Sequence, residues 1–439
     1  MYLGIDVGTS GVRAVVIDRG GNTRAQAQTP MPAPVRDGDA ISQDPAIWWR
    51  AVTDTLAKLF ASVPASSIRA LAVDGTSGTL LRTDSAGQAA GDALMYNDAR
   101  ARDQAARIAA AAGSTTDGAG SAAISASSAL AKLLWWQDQA LLANTHHVLQ
   151  QADWIAGQFT GHWNQSDANN GLKLGWDPAT HCWPDWLTDL LVTEDIDTGL
   201  LPEIQPCGAD FGPVCAEAIA RFGFRTDTRV MAGTTDSIAA FIAAAGPTIN
   251  WQPGLAVTSL GSTLALKLLS DTAVFSARHG VYSHRLGKYW LAGGASNCGG
   301  GTLLKYFSIE QLDAMTPGLQ PDQPTGLDYY PLPAPGERFP VNDPDKLPQL
   351  QPRPDDDVTF FQGMLEAMAN IEKLGYDLLA QLGAAPLKQV YTAGGGGRNA
   401  AWTHIRQAHL GVAVATAKHD AAAYGAALIA TGMIGHSLS

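Results

Sequence analysis

Two aspartates in this chain sit beside glycines and hydroxyl side chains in a way that suits phosphate chemistry. The first, Asp6, lies inside LGIDVGTSGVRAVVID, which begins at Leu3. Gly8, Thr9, Ser10 and Gly11 separate two apolar runs there. Glycines let a ligand approach the backbone, turn N–H groups and hydroxyls suit an anion, and a nearby carboxylate suits a hydrated metal ion. An aspartate in this place also serves to cap its own hairpin through an Asx turn, and the strip by itself leaves both uses open. The second, Asp236, lies in GTTDSIAAF, from Gly233 to Phe241. A strand is expected to end at Gly233 and a helix to begin near Asp236-Ser237. Asp236 is then either the helix N-cap or the base of a site at a strand-to-helix junction, where α/β folds place ligands. Thr234 and Thr235 add hydroxyls beside it.

The elements that must hold these residues are readable around them. LGIDV and VRAVVID are short, rich in Leu, Ile and Val, and separated by a glycine-bounded turn, which predicts an antiparallel hairpin. Arg19-Gly20-Gly21-Asn22 predicts a second turn and so a meander. The same pattern returns in AVTSLGSTLALKLLS, Ala256 to Ser270. Aligned on the turn glycine, Gly8 matches Gly261, Thr9 matches Ser262, and Asp6 falls opposite Ser259. Two such hairpins imply two related domains whose turns face each other across a cleft. Strand-like runs at 71–75, 229–233, 289–294 and 389–395 each lead into a glycine-rich turn and then helix-like sequence, as α/β folds require. Ala109 to Ala131 is dominated by Ala, Ser and Gly, and reads as helix with small-residue packing or as a mobile excursion. Thr316 to Asp357 reads as a long irregular surface segment. The change of half falls near Ala243 to Gln252.

Composition bounds the function classes. The 439 residues exceed one ordinary core, and 46% hydrophobic content is ample for two. Charged residues are 16% and the formal net charge is −12, which argues against a nucleic-acid or anionic-membrane surface. No apolar run approaches a membrane span, and the chain opens on a strand, so a cytoplasmic protein is expected. The cysteines Cys182, Cys207, Cys215 and Cys298 have no CxxC spacing, and reduced thiols are expected rather than zinc or disulfides. Core packing is the expected role of Trp48, Trp49, Trp135 and Trp136, and the glycines at 293–301 suit close helix–strand contact. No GxxxxGK[ST] occurs, and Gly394 to Asn399 lacks the last glycine of GxGxxG. What remains is a nucleotide site assembled from turns in both halves.

Taken together, the strips resemble the FGGY carbohydrate kinase family. The resemblance rests on GIDVGTSGVRA, QDPAIWW (43–49), DGTSGT (74–79), YNDAR (96–100), SDANNGLKLGW (166–176), AGTTDSIAAF (232–241), TSLGSTLALK (258–267), GGASNCGG (293–300), PLPAPGERFP (331–340) and TAGGGGRNAAW (392–402). They span nearly the whole chain in the family's order. DGTSGT, AGTTDSIAAF and GGASNCGG look most like the compact D-ribulose kinase branch, some members of which are called xylulose kinase-like.

The resemblance implies an α/β fold of two ribonuclease-H-like domains of the actin and hexokinase superfamily, flanking a nucleotide and sugar cleft. It implies a sugar domain at 1–243, a nucleotide domain at 244–420, and a tail at 421–439 that packs back on the first. It implies ATP and Mg2+ as cofactors and a small sugar as the partner, with no nucleic acid and no membrane. Residue by residue, Asp236 corresponds to the base that takes the sugar hydroxyl proton, and Asp6 to the aspartate near the magnesium and the sugar. Thr9 and Ser10 fall in the phosphate turn with Gly8, and Ser10 and Ser77 fall among the sugar contacts. Gly261, Ser262 and Thr263 hold phosphates from the second domain, and Gly395, Gly396 and Asn399 line the adenine pocket. The chain departs from the family at Tyr96-Asn97-Asp98-Ala99-Arg100, where many members carry a Trp-Gln-Asp-Arg type strip. It departs again at Ala421, preceded by Asp420, where many carry Glu. The activity so implied is phosphorylation of a ketopentose, D-ribulose before D-xylulose or another ketose or polyol. The alternatives from other classes are an actin-like ATPase and a sugar-binding regulator without catalysis.

Overall fold

The computed structural model describes residues 1–113, 122–247 and 251–432. Strands β1 (Tyr2–Val7) and β2 (Gly11–Ile17) pair antiparallel with Asp6 opposite Arg13. Strand β3 (Thr23–Pro30) completes the meander. Its turn is tied by the Asp18 carboxylate, which accepts the Gly20 and Asn22 N–H groups. Every residue of β1 from Leu3 onward is buried, so the strand is covered on both faces and shows no polar alternation. Helix α1 (Pro45–Phe60) starts at an Asp44 cap with proline in its first turn, the arrangement its sequence favours. Strand β4 (Ala70–Gly75) lies parallel to β1 and puts Asp74 directly beside Asp6. Helices α2 (Ala129–Asp138) and α3 (Gln151–Thr160) follow, then β5 (Asp210–Pro213) and β6 (Arg229–Thr235), which returns parallel to β4. The resulting sheet has the order β5-β6-β4-β1-β2-β3.

Two sequence expectations are corrected here. The strand expected to end at Gly233 continues to Thr235. A register shift between Met231 and Thr234 lets it do so, where Gly233 lies so close to the Val73 carbonyl that a Cβ would stand 1.7 Å from it. Helix α4 (Asp236–Ala245) then begins with Asp236 as its first residue, and its N-cap is Thr235 rather than Asp236. Of the segment 109–131, the first residues finish a helix ending at Ala112 and the last open α2, while 114–121 lie outside the described residues. Trp48 and Trp136 are core residues, and Trp49 and Trp135 are half-buried and pack against the core from its edge, with the guanidinium groups of Arg221 and Arg100 over their rings.

The second unit repeats the topology. Its strands β7 (Leu255–Leu260), β8 (Leu264–Ser270), β9 (Tyr289–Ser296), β10 (Gln389–Ala393) and β11 (Ala413–Thr416) run β9-β8-β7-β10-β11, matching β3-β2-β1-β4-β6 in order and in relative direction. Helix α5 (Asp357–Gln381) and helix α6 (Ala400–Leu410) cover it. Between Thr316 and Asp357 the chain forms one short 3-10 turn and no other helix or strand. A buried ion pair, Arg406 with Glu372, ties the two helices together. Thr258 on β7 donates to Glu372, and Arg406 donates to Thr392 on β10 at 2.6 Å, so the two central strands are fixed to both helices.

The chain divides into these two units close to the segment 248–250, which lies outside the described residues; His284–Gly287 and the described residues from Ala421 group with the first unit. Helix α7 (Ala422–Ala430) accordingly packs on β1 and α4. Its Tyr424 hydroxyl donates to the Gly21 carbonyl at 2.7 Å. The four cysteines are free thiols. Among the described residues no helix is long and apolar enough to cross a membrane.

Candidate active site

The first unit gathers three carboxylates at one end of its sheet. Asp6 is nearly buried and accepts from Arg13 Nη1 at 3.2 Å across the hairpin. The hairpin itself is closed by the backbone, with the Gly8 N–H donating to the Gly11 carbonyl at 3.1 Å. Asp6 is therefore not the Asx cap of its own turn. Beside it, Asp74 has no solvent exposure, and the side chain in hydrogen-bonding reach of its carboxyl is Asp6, which favours the protonated form of Asp74. Burial raises the Asp74 pKa well above the usual carboxylate range; the Asp6 and Asp236 charges push the same way and Arg13 opposes them. Burial likewise raises Asp6, against the pull of Arg13. Asp236 opens α4, and its Oδ1 accepts the Ser237 N–H at 2.6 Å. Its negative charge stands at the positive end of the helix dipole.

The turn after β4 carries Ser77. Thr76 is held by the Gln151 side chain through both its N–H and its hydroxyl, at 3.0 and 2.8 Å. The Gly78 N–H donates to Gln150 at 3.2 Å. Lys173 Nζ donates to the Ser77 carbonyl at 2.8 Å. Burial lowers the Lys173 pKa, and the Asp236 charge opposes that shift, which places the ammonium within the field of the carboxylates. The Ser77 hydroxyl is shielded from solvent and has no partner. Nearby, Asn169 donates to the Thr234 hydroxyl at 2.9 Å, two residues before Asp236. In the YNDAR strip, Asp98 is buried and accepts from the Ile41 N–H and the Arg100 side chain, and Arg100 lies over Trp135. Arg100 is thus engaged by its own neighbours.

In the second unit Gly261, Ser262, Gly395, Gly396 and Asn399 line one cavity of about 570 Å³. Its walls are mostly apolar, with Leu303, Leu304, Ile309, Phe361 and Trp402 among them. A flat aromatic base with hydrogen-bonding edges suits such a wall. The Gly300 and Gly301 N–H groups donate to the carbonyls of Gly261 and Ser262, so the glycines at 299–301 brace the hairpin turn. Asn399 caps α6 through Trp402 N–H at 2.9 Å and donates to Thr316 at 3.2 Å. Asp420 accepts the Gly394 N–H at 3.2 Å.

The structure therefore brings Asp6 and Asp236 together around Asp74, sets Gly8, Thr9 and Ser10 in the turn after Asp6, and holds Ser77 three residues beyond Asp74. Thr263 does not line the second unit's cavity; its carbonyl closes the Gly261 turn instead. Sequence reasoning missed Asp74 and Lys173. The signal for Asp74 was its place in LAVDG, which copies that of Asp6 in LGIDV.

For Mg2+, the fit rests on the donors present. Asp6 is the carboxylate available and has one cationic partner, Arg13, while among the described residues no group of three or more His, Cys, Asp or Glu side chains is arranged to hold a metal. One or two carboxylates completed by water and phosphate oxygens are what Mg2+ uses, so the residues fit that ion.

Comparison with known proteins gives consistent relationships. The sequence matches the FGGY family of carbohydrate kinases, N-terminal domain, over residues 1–243, and the same family's C-terminal domain over residues 256–433. It is 25% identical over 248 residues to the xylulose kinase of Bacillus subtilis, covering 55% of this chain and 49% of that protein. It is 29% identical over 235 residues to the glycerol kinase of Delftia acidovorans, covering 49% and 45%. The chain thus spans about half the length of the curated relatives it matches. The fold is similar to the crystal structure of a "xyloylose kinase" from Brucella ovis, with a TM-score of 0.87, 23% identity, and coverage of 99% of this chain and 90% of that one.

Proposed function

Because the chain belongs to the FGGY family of carbohydrate kinases, we propose that it transfers the γ-phosphoryl group of ATP to a hydroxyl of a ketopentose, D-ribulose in preference to D-xylulose. The observation that carries this reading is the grouping of Asp6 and Asp236 around Asp74, beside an unpartnered Ser77 hydroxyl. Phosphoryl transfer asks for little covalent chemistry from the protein and much positioning and charge stabilisation. Asp236 is the base: it takes the proton of the attacking hydroxyl, late in the transfer, since a sugar hydroxyl is a far weaker acid than a carboxylic acid. Ser10 and Ser77 orient the sugar, and Gly8 and Thr9 receive the transferred phosphate at their turn. The second unit's turn at Gly261 and Ser262 holds the donor phosphates, and its apolar cavity holds the base between Gly395, Gly396 and Asn399. Asp6 would hold Mg2+, which when bound neutralises charge on the phosphates.

The D-ribulose preference draws on the branch resemblance and on Ser77. Relatives named xylulose kinase and glycerol kinase keep D-xylulose and polyols as the second reading. The two ketopentoses differ in one hydroxyl configuration. A site that pairs that hydroxyl leaves a buried group unpaired with the epimer, at roughly 1–3 kcal/mol, or about one to two decades in kcat/KM. The test is sugar-dependent ADP release across ketopentoses, ketohexoses and polyols. A D-ribulose preference of that size supports the reading, and equal values or a D-xylulose preference remove the ribulose assignment alone. ATP hydrolysis indifferent to every sugar moves the chain to the actin-like ATPase class, and no turnover at all moves it to the regulator class.

A further inference from the structure

Lys132 is one of the largest fully buried side chains of the chain, with no solvent exposure. It stands in ALAKLLWW, where an aliphatic residue would continue the apolar face of α2 without bringing a charge inside. Its ammonium donates all three of its protons: to the Gly78 carbonyl at 2.6 Å, the Met95 carbonyl at 2.7 Å and the Ser127 carbonyl at 2.9 Å. None of the three acceptors is a carboxylate. Desolvation is costly for such a group, and it lowers the Lys132 pKa well below that of an ordinary lysine, with Lys173 and Arg100 adding to the shift and Asp98 opposing it. What the buried charge does is join three segments: the turn after β4, the strand end before the YNDAR strip, and the loop leading into α2.

The turn so held is gripped from both sides, by Lys132 on the Gly78 carbonyl and by Lys173 on the Ser77 carbonyl. Gln150 and Gln151 hold its N–H groups at Gly78 and Thr76. The Ser77 hydroxyl is left without a partner in a place shielded from water, as is the Nε2 of Gln151 behind the turn. Buried polar groups are ordinarily paired. A fixed turn around an open hydroxyl is the construction of a preorganised ligand contact.

We propose that Lys132 is a positioning residue of the sugar site, acting through Gly78 to aim the Ser77 hydroxyl at one sugar hydroxyl and so helping to set which epimer is accepted. This rests on the sugar-kinase reading and adds to it a determinant outside the residues that touch substrate. The experiment compares Lys132→Met, Lys132→Gln, Ser77→Ala and the Lys132→Met/Ser77→Ala double variant. Loss of one oriented hydroxyl contact predicts a fall of about tenfold or more in kcat/KM for the preferred sugar, carried by KM. The ratio between ketopentose epimers narrows in step, and nucleotide affinity is unchanged. The double variant falls no further than the worse single one, because both changes remove the same contact. Lys132→Gln, which keeps two donors and is the gentler change should the Met variant fail to fold, retains part of the epimer ratio. Losses that multiply in the double variant, or an unchanged epimer ratio in Lys132→Gln and Lys132→Met alike, overturn the proposal.

Hydrogen exchange of the amides at 76–79 gives a readout that needs no sugar. It should quicken by about tenfold or more in the Lys132 variants, with the glycine turn at 394–397 unaffected. Unchanged exchange overturns the proposal whatever the kinetics. Wild-type protein that phosphorylates no sugar, yet shows the exchange effect, refutes the kinase reading and leaves the clamp on the turn standing.

Discussion

Replacing Asp74 by Asn tests whether the carboxylates at the head of the sheet are as strained electrostatically as their burial implies. Asp74 is fully buried between Asp6 and Asp236, and its carboxyl is pushed well above the usual range by desolvation first and by those two charges next. The other elements against β4 offer it no counter-charge. Opposite it β6 presents Thr234, while the α3 carboxylate Asp153 is itself raised by burial and by the Asp167 charge, and Tyr424 on α7 bonds to Gly21. A carboxyl with a raised folded-state pKa contributes stability that is fully present below its unfolded pKa, about 3.9, and lost as pH rises through the folded value. Over that window the wild type loses up to about 1.4 kcal/mol per pH unit relative to a variant that cannot ionise. Urea unfolding from about pH 5 to about pH 8, with the m-value held to a constant, reads the difference directly. Asp74→Asn should gain on the wild type as pH rises. Stability curves that stay parallel across that range would refute the reasoning, since Asp74 would then ionise in the fold as it does in the unfolded chain.

The glycine turn of the second unit supports a paired prediction. A Cβ on Gly395 would meet nothing within 4 Å, whereas one on Gly396 would stand 2.5 Å from the Trp402 ring and 2.7 Å from Leu260. Gly395→Ala should keep its melting temperature and weaken nucleotide binding, while Gly396→Ala should lose about 1–3 kcal/mol of stability through overpacking, as thermal melts and titration with a fluorescent nucleotide would report. Arg406→Met leaves Glu372 buried without its partner and should cost about 3–5 kcal/mol in urea unfolding. A loss below about 1 kcal/mol would mean that Glu372 is neutralised at little cost.

The parts of the fold that follow from local pattern were legible in advance. LGIDVGTSGVRAVVID and AVTSLGSTLALKLLS each alternate apolar run, glycine turn and apolar run, and the structure builds β1–β2 and β7–β8 from them. The helix start at Asp236 was legible, but the strand before it was ended two residues early, at Gly233, because β6 carries a register shift that only its pairing with β4 creates. Asp74 was hidden for a related reason. Its run reads as an ordinary strand until the parallel register sets it beside Asp6. The corresponding positions of the second unit, Ser259 and Ala393, are small and uncharged in the same register, so the fold does not need the two carboxylates. Lys132 was invisible because its partners come from three segments that meet only in the folded chain. The turn residues Gly395, Gly396 and Asn399, like Thr263, were singled out through the family resemblance; the structure adds that the Thr263 carbonyl closes the Gly261 turn.

The central claim is that Asp236 is the base for transfer to a sugar hydroxyl, and sugar-dependent ADP release by Asp236→Ala tests it most directly, measured beside nucleotide binding to the same variant. A general base contributes about 10²- to 10⁴-fold. The account predicts that release at saturating ketopentose falls by at least about a hundredfold while nucleotide affinity stays that of the wild type. Turnover within about threefold of the wild type, a change worth less than 1 kcal/mol of barrier, would contradict it and leave Asp236 as the first residue of its helix and nothing more.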